Sequence, residues 1–195
     1  MVTLDWEKKR IPFSITFDTD GTVVKALKEK IEKLKEPGWR DYYNAARYCY
    51  QNNVNLEEAL AWAEQSTMYK TTFANQVLWA GLLSKTGKQK EGDKLMKAVL
   101  GKEDVTDENY YFYGQDLIGQ GKYKEAIKLF GQLGDKWPES WLQYHGAARV
   151  YSAMHEFEKA LVNEKKALIG APEANKYYVN RAIKMLEAGI DFNTL

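Results

Sequence analysis

Few side chains in this sequence are equipped for chemistry. Cys49 is the one cysteine, and His145 and His155 are the two histidines, among 195 residues. A single thiol excludes an intrachain disulfide and a cysteine-only zinc site. The histidines stand ten residues apart, roughly 15 Å along a helix, too far to share a metal. His155-Glu156 does not open a zinc-protease motif, because Lys159 stands where the second histidine belongs. The run Gly81–Lys88 looks like a phosphate loop but has five residues between its glycines instead of four. Gln89 then follows the lysine without the hydroxyl that magnesium needs. Gly119-Gln120-Gly121 lacks the third glycine of a dinucleotide fingerprint. Carboxylates are plentiful, but they sit beside lysines at helical spacing. That is a solvated helix face and not an acid–base pair. Cys49 falls beside Ala45 and Ala46 on an apolar stripe, as a buried small hydrophobe would. The expectation is a non-catalytic chain with no cofactor and no metal.

Charge excludes further classes. Lys and Arg number 28, Asp and Glu 27, for a net charge of +1. A nucleic-acid binder would show a basic stripe, and an anionic membrane surface would find little to attract. The apolar run around Leu78–Leu83 is far short of the roughly 20 residues of a membrane span. Met1–Trp6 has no basic region followed by an apolar one, so the opening residues do not read as a secretory leader. Hydrophobic residues make up 45% and aromatic ones 13%, enough for a real core.

Any binding surface must be positioned by two kinds of element. Val2, Leu4 and Trp6 alternate with polar residues. After a polar turn at Lys8-Lys9, so do Ile11, Phe13, Ile15 and Phe17. Period two on both sides of a turn predicts a β-hairpin, with Pro12 marking an edge. Such a hairpin is marginal alone and must pack on a helix, another chain or a further domain. From Thr22, a suitable cap, the period becomes 3.6. Val24, Leu27, Ile31 and Leu34 form a stripe, and Lys25–Glu29, Lys28–Glu32 and Glu29–Lys33 form i,i+4 pairs. Pro37-Gly38 stops that helix.

The remainder repeats. Tyr110, Tyr113-Gly114, Leu117, Gly121, Tyr123, Ala126, Phe130, Leu133 and Pro138 recur 34 residues later. The second set is Tyr144, Ala147-Ala148, Tyr151, His155, Phe157, Ala160, Glu164, Ala167 and Pro172. The same step backwards reaches Gln76, Trp79-Ala80, Leu83, Gly87, Gln89 and Gly92, then Tyr42, Ala45-Ala46 and Cys49. An extra residue in the Gln51–Asn55 turn shifts the rest of that first copy to Leu56, Ala59, Ala63 and Ser66. This pattern resembles the tetratricopeptide repeat, a 34-residue helix–turn–helix unit. The small pair at positions 7 and 8, the small residue at 20 and the proline at 32 carry the likeness. Glu164 replaces the aromatic at position 24 and points to a looser or more exposed contact there. After Pro172 one amphipathic helix, about 173–188, reads as the polar cap a solenoid end needs.

The resemblance implies an all-α solenoid of four repeats and a capping helix, preceded by the hairpin and a linker helix. The segments are 1–18 for the hairpin, 19–37 for the linker helix and 38–195 for the repeats. It also implies a protein or extended-peptide partner, held in a concave groove by positions 2, 5, 9 and 12 of each first helix. Those positions are Arg40, Tyr43, Arg47 and Tyr50 in repeat one, and Ala74, Val77, Gly81 and Ser84 in repeat two. They are Glu108, Tyr111, Gln115 and Ile118 in repeat three, and Leu142, His145, Arg149 and Ser152 in repeat four. Tyr43 and Arg47 stand where the family's two-carboxylate clamp has Lys and Asn, so chaperone tails are not the expected ligand. Arg47 and Arg149 offer carboxylate or phosphate contacts, and Tyr43, Tyr50 and Tyr111 offer rigid packing area.

Leu4–Lys8 followed by Ile11–Ile15 resembles the last hairpin of a β-sandwich in an exported bacterial family of unknown function. In that family the sandwich precedes tetratricopeptide repeats. The likeness implies that most of a sandwich lies upstream, and a periplasmic or cell-envelope home. The alternative reading of function is an assembly arm for that sandwich, able to homodimerise through the hairpin.

Overall fold

A computed structural model of the chain describes residues 2–7, 9–13 and 18–194. Strand β1 (Val2–Trp6) pairs antiparallel with β2 (Lys9–Phe13), Val2 opposite Phe13 and Leu4 opposite Ile11. Lys9 already pairs with Trp6, and Glu7 turns with φ +52°. The turn therefore falls one residue earlier than the polar pair suggests. A left-handed residue in a two-residue connection matches the strand twist. Ile15 and Phe17, expected to lengthen the second strand, lie outside the described residues, as do the side chains of Val2, Leu4, Trp6, Ile11 and Phe13.

Helix α1 (Thr19–Lys33) starts before Thr22 because Asp18 caps it, its carboxylate accepting from the Gly21 N–H at 2.8 Å. The Thr22 hydroxyl instead donates to the Asp18 carbonyl at 2.8 Å. Val24 is buried, and Leu27 and Ile31 pack on the same core with Ala45, Ala46 and Cys49. Leu34, beyond the helix end, is exposed. Two polar ties fix α1 to its neighbours. Tyr48 Oη donates to Asp20 at 2.7 Å. Lys28 Nζ reaches Glu58 at 2.8 Å, across to another helix and not along its own.

Four helix pairs follow. In chain order they are α2 (Trp39–Asn52) then α3 (Leu56–Tyr69), α4 (Phe73–Lys85) then α5 (Gln89–Leu100), α6 (Asp107–Gly119) then α7 (Tyr123–Lys136), and α8 (Leu142–Ala153) then α9 (Phe157–Gly170). Helix α10 (Glu173–Glu187) closes the series, followed by a short 3-10 turn at Phe192–Thr194. These are the pairs expected of a tetratricopeptide solenoid. Residues 1–92 and 93–195 each form a compact unit, with the boundary inside α5.

The turns repeat as strictly as the side chains do. Asn53, Gly87, Gly121, His155 and Gly189 all have left-handed φ, between +56° and +85°, and each stands 34 residues from the next. The residue after each donates its N–H to the carbonyl five residues back in the first helix: Val54 to Cys49, Lys88 to Leu83, Lys122 to Leu117, Glu156 to Tyr151 and Ile190 to Met185, at 2.7–3.0 Å. Bonds of this type satisfy the carbonyls left over at a helix end. Asn55 is left-handed as well, φ +45°, which absorbs the extra residue of the first repeat. Helix starts share the period too. Thr72 and Asn75 cap α4 reciprocally, and Thr106 and Asn109 do the same for α6. One step earlier Asp41 accepts from the Gly38 N–H at 3.0 Å.

Helix pairs approach closely where the sequence is small. Ala126 and Ala160 are fully buried. In the second unit the Phe130 ring lies against the bare backbones of Gly114 and Gly146, and a Cβ on either would overlap it.

Candidate functional site

In the first unit the named residues of α2 are largely engaged with their neighbours. The Arg40 guanidinium lies 4.6 Å from the Trp39 ring centre, and Tyr43 packs on the same ring at 6.2 Å. Arg47 is exposed. The Tyr50 ring rests on Gly81, where a Cβ would come within 2.7 Å of its hydroxyl. Lys85 Nζ sits 4.8 Å from the same ring and donates to the Tyr50 carbonyl at 3.3 Å and to Asn53 at 3.0 Å. Val77 and Gly81 are buried, so two of the four positions expected to line a groove in repeat two offer no functional group to solvent.

Cys49 is fully buried in the core of this unit. Burial pushes its thiol up to about 11, with the Glu58 and Asp20 charges adding to the effect. At pH 8 roughly one molecule in a thousand would carry the reactive thiolate. Cys49 is therefore expected to resist a soluble disulfide reagent at pH 8 in the folded chain and to react fully in denaturant. Rapid labelling of the native chain would contradict the burial.

The second unit gathers Tyr111, Gln115, His145 and Arg149. Tyr111 and Gln115 come from α6, and His145 and Arg149 from α8. Gln115 Nε2 donates to Tyr111 Oη at 3.1 Å. The Tyr111 and His145 rings stack at 5.6 Å. Burial pushes the Tyr111 phenol up, opposed by the nearby Arg149 charge. Trp141 closes the other side of His145 at 5.1 Å.

Beneath them lies a pair that corrects an expectation. Glu164 does not make a loose or exposed contact. It is fully buried, and its carboxylate accepts from His145 Nδ1 at 2.8 and 2.9 Å. A carboxylate only accepts, so Nδ1 carries the hydrogen. The period explains the exchange. Tyr111 and Phe130 pack together in repeat three, 6.1 Å between ring centres. Residues 34 further on are His145 and Glu164. Phe130 fits because glycine stands at 114, whereas the equivalent residue 148 is alanine, itself fully buried. The shorter carboxylate fits there and is satisfied by the imidazole in place of a ring.

The polar face above this pair is already occupied. After Gly189 the chain folds back onto α8. Phe192 is fully buried, its ring 5.8 Å from His145 and 5.3 Å below the Arg149 guanidinium. Ser152 Oγ donates to Asp191 at 2.6 Å and accepts from the Phe192 N–H at 3.2 Å. Asn193 donates to the Arg149 carbonyl at 3.0 Å and accepts from Arg149 Nη1 at 3.1 Å. Partial burial raises the Asp191 carboxyl, but the Ser152 and Asn193 donors outweigh it and hold it below its ordinary value. Arg149 Nε is buried and has no acceptor among the described residues, a deficit on the order of 1–3 kcal/mol. Thus Arg149 and Ser152, expected to face a partner, hold the chain's own tail. The repeat pattern read from the sequence ends with the capping helix; the signal past it is an aromatic in a polar tail, just after Gly189, the fifth position and third glycine of the 34-residue grid.

No group of three or more potential metal ligands occurs among the described residues, and no helix there is long and apolar enough to cross a membrane.

No family model matches the chain, and no curated protein matches it. Similar solved structures include YrrB, described as a TPR protein with an unusual peptide-binding site. It is 18% identical over 84% of this chain and 86% of its own, with a TM-score of 0.45. A tetratricopeptide repeat protein from Parabacteroides merdae is 17% identical over 87% and 80%, with a TM-score of 0.40. MamA from Desulfovibrio magneticus is 19% identical over 80% and 93%, with a TM-score of 0.39. The assignment to tetratricopeptide-type repeats rests on this chain's own helix pairs, period and turns.

Proposed function

We propose that this chain is a non-catalytic scaffold that holds a short segment of a protein partner against the first-helix face of repeats three and four. One observation carries the reading: that face already holds a short segment, residues 191–193, which enters a 3-10 turn and is fixed by side-chain and backbone hydrogen bonds and one buried ring. Tyr111 and Gln115 continue the same polar face along α6 and provide amphipathic contact area of the kind enriched at binding hot spots.

A random-peptide display selection on the intact chain tests this. Enriched peptides should share a motif, and their binding should fall at least tenfold in the paired variant Tyr111→Phe/Gln115→Ala. That variant removes two hydrogen-bonding groups and keeps the ring. Equal binding by this variant, together with loss in Tyr43→Ala/Arg47→Ala, would move the site to α2. A selection that enriches nothing would end the scaffold reading.

A further inference from the structure

The tail on α8 has the form of a ligand. It leaves the last helix at Gly189, which is left-handed with φ +69°. Its hold is then concentrated in three successive residues with distinct chemistry. Asp191 takes the Ser152 hydroxyl, Phe192 lies beside His145 and Arg149 and packs into the core with Ala148, Ala160, Ala182 and Leu186, and Asn193 bridges the Arg149 guanidinium and carbonyl. A carboxylate, a buried aromatic and an amide in sequence specify a recognition motif more narrowly than apolar packing does. The fit is incomplete at one point, since the buried Arg149 Nε–H finds no acceptor.

We propose that residues 190–194 are a displaceable internal ligand. The natural occupant of the α8 face is then a partner segment of the same chemistry, acidic–aromatic–amide, with one further acceptor placed to receive the Arg149 Nε–H. The inference rests on the scaffold reading above and names its partner. The tail's ring is fully covered, so a partner gains this pocket only by exchange. The missing acceptor is what lets a competing segment outdo the tail.

The test uses the full chain and a fluorescent peptide of sequence Gly-Ile-Asp-Phe-Asn-Thr-Leu, with a scrambled peptide as control. Asp191→Ala/Asn193→Ala loosens the tail while leaving Phe192 and every α8 residue in place. Faster amide exchange at 190–194, with unchanged circular dichroism, verifies the loosening. The probe is expected to bind this variant at least tenfold more tightly than the intact chain, and adding Ser152→Ala should remove most of that gain. Equal binding by the loosened and intact chains would overturn the proposal, as would equal binding of the scrambled peptide. So would a concentration-dependent dimer of the intact chain formed by tail exchange, which would make the occupant a second copy. Display-selected peptides that bind the intact chain through Tyr111 and Gln115 would leave the scaffold reading standing even if this exchange fails.

Discussion

Glu164→Ala is expected to lower the free energy of unfolding of the second unit by about 3–5 kcal/mol, the range for removing one partner of a buried pair. The side chain is fully buried and bound by the imidazole through both oxygens. Its loss leaves a small cavity and a buried ring nitrogen without an acceptor. Glu164→Gln retains one oxygen acceptor, so a loss of about 1–2 kcal/mol is expected there. Urea titrations followed by circular dichroism would measure both. If alanine cost no more than glutamine, the carboxylate would not be the element that fixes His145. Glu164→Phe, which restores the aromatic of repeat three, should also be destabilising. Ala148 occupies the place of the glycine that makes room for Phe130. Combining it with Ala148→Gly, Asn180→Gly and His145→Tyr should recover much of the loss, because the four together rebuild the Tyr111–Phe130 arrangement, with its two bare backbones, one repeat along.

Gly146→Ala is the second large effect. Alanine improves helix propensity by about 1 kcal/mol over glycine. Here its methyl would enter the Phe130 ring, which is itself buried and packed against Tyr111. Overpacking of a confined ring costs up to about 3 kcal/mol, so a net loss of about 2 kcal/mol is expected. Phe130→Leu supplies the control. In that background the added methyl meets open space, and Gly146→Ala should be neutral or stabilising. A gain of stability from Gly146→Ala beside an intact Phe130 would show that the ring is free to move.

What could be read in the sequence follows from what repeats. The helix pairs and the small residues at 126 and 160 leave a mark every 34 residues, the extra residue near Asn53 shows as a single slip of that register, and all are present in the structure. Gly87, Gly121 and His155 were visible as aligned positions, but their shared left-handed backbone was not. Histidine gives no sign that it must adopt a glycine's conformation. Single departures from the pattern were harder to read. Glu164 looked like a weakened contact because its compensating partner, His145, lies on another helix, 19 residues away, and nothing local links the two. Asp18 displaced Thr22 as cap because either can serve and only the folded backbone decides between them. The groove positions could be numbered from the repeat. Their availability could not, since it depends on Tyr50 covering Gly81 and on a tail beyond the last helix.

The folded-back tail also has a kinetic and thermodynamic side. A segment tethered by a few residues faces its own site at an effective concentration on the order of millimolar. A free segment making identical contacts would be outcompeted at ordinary cellular levels. Its apparent affinity is the intrinsic one scaled by the fraction of time the tail is off. The face therefore rejects casual binders without any steric gate. Under the proposed exchange, the partner that enters is one that makes more contacts than the tail does, or one held nearby by a second attachment.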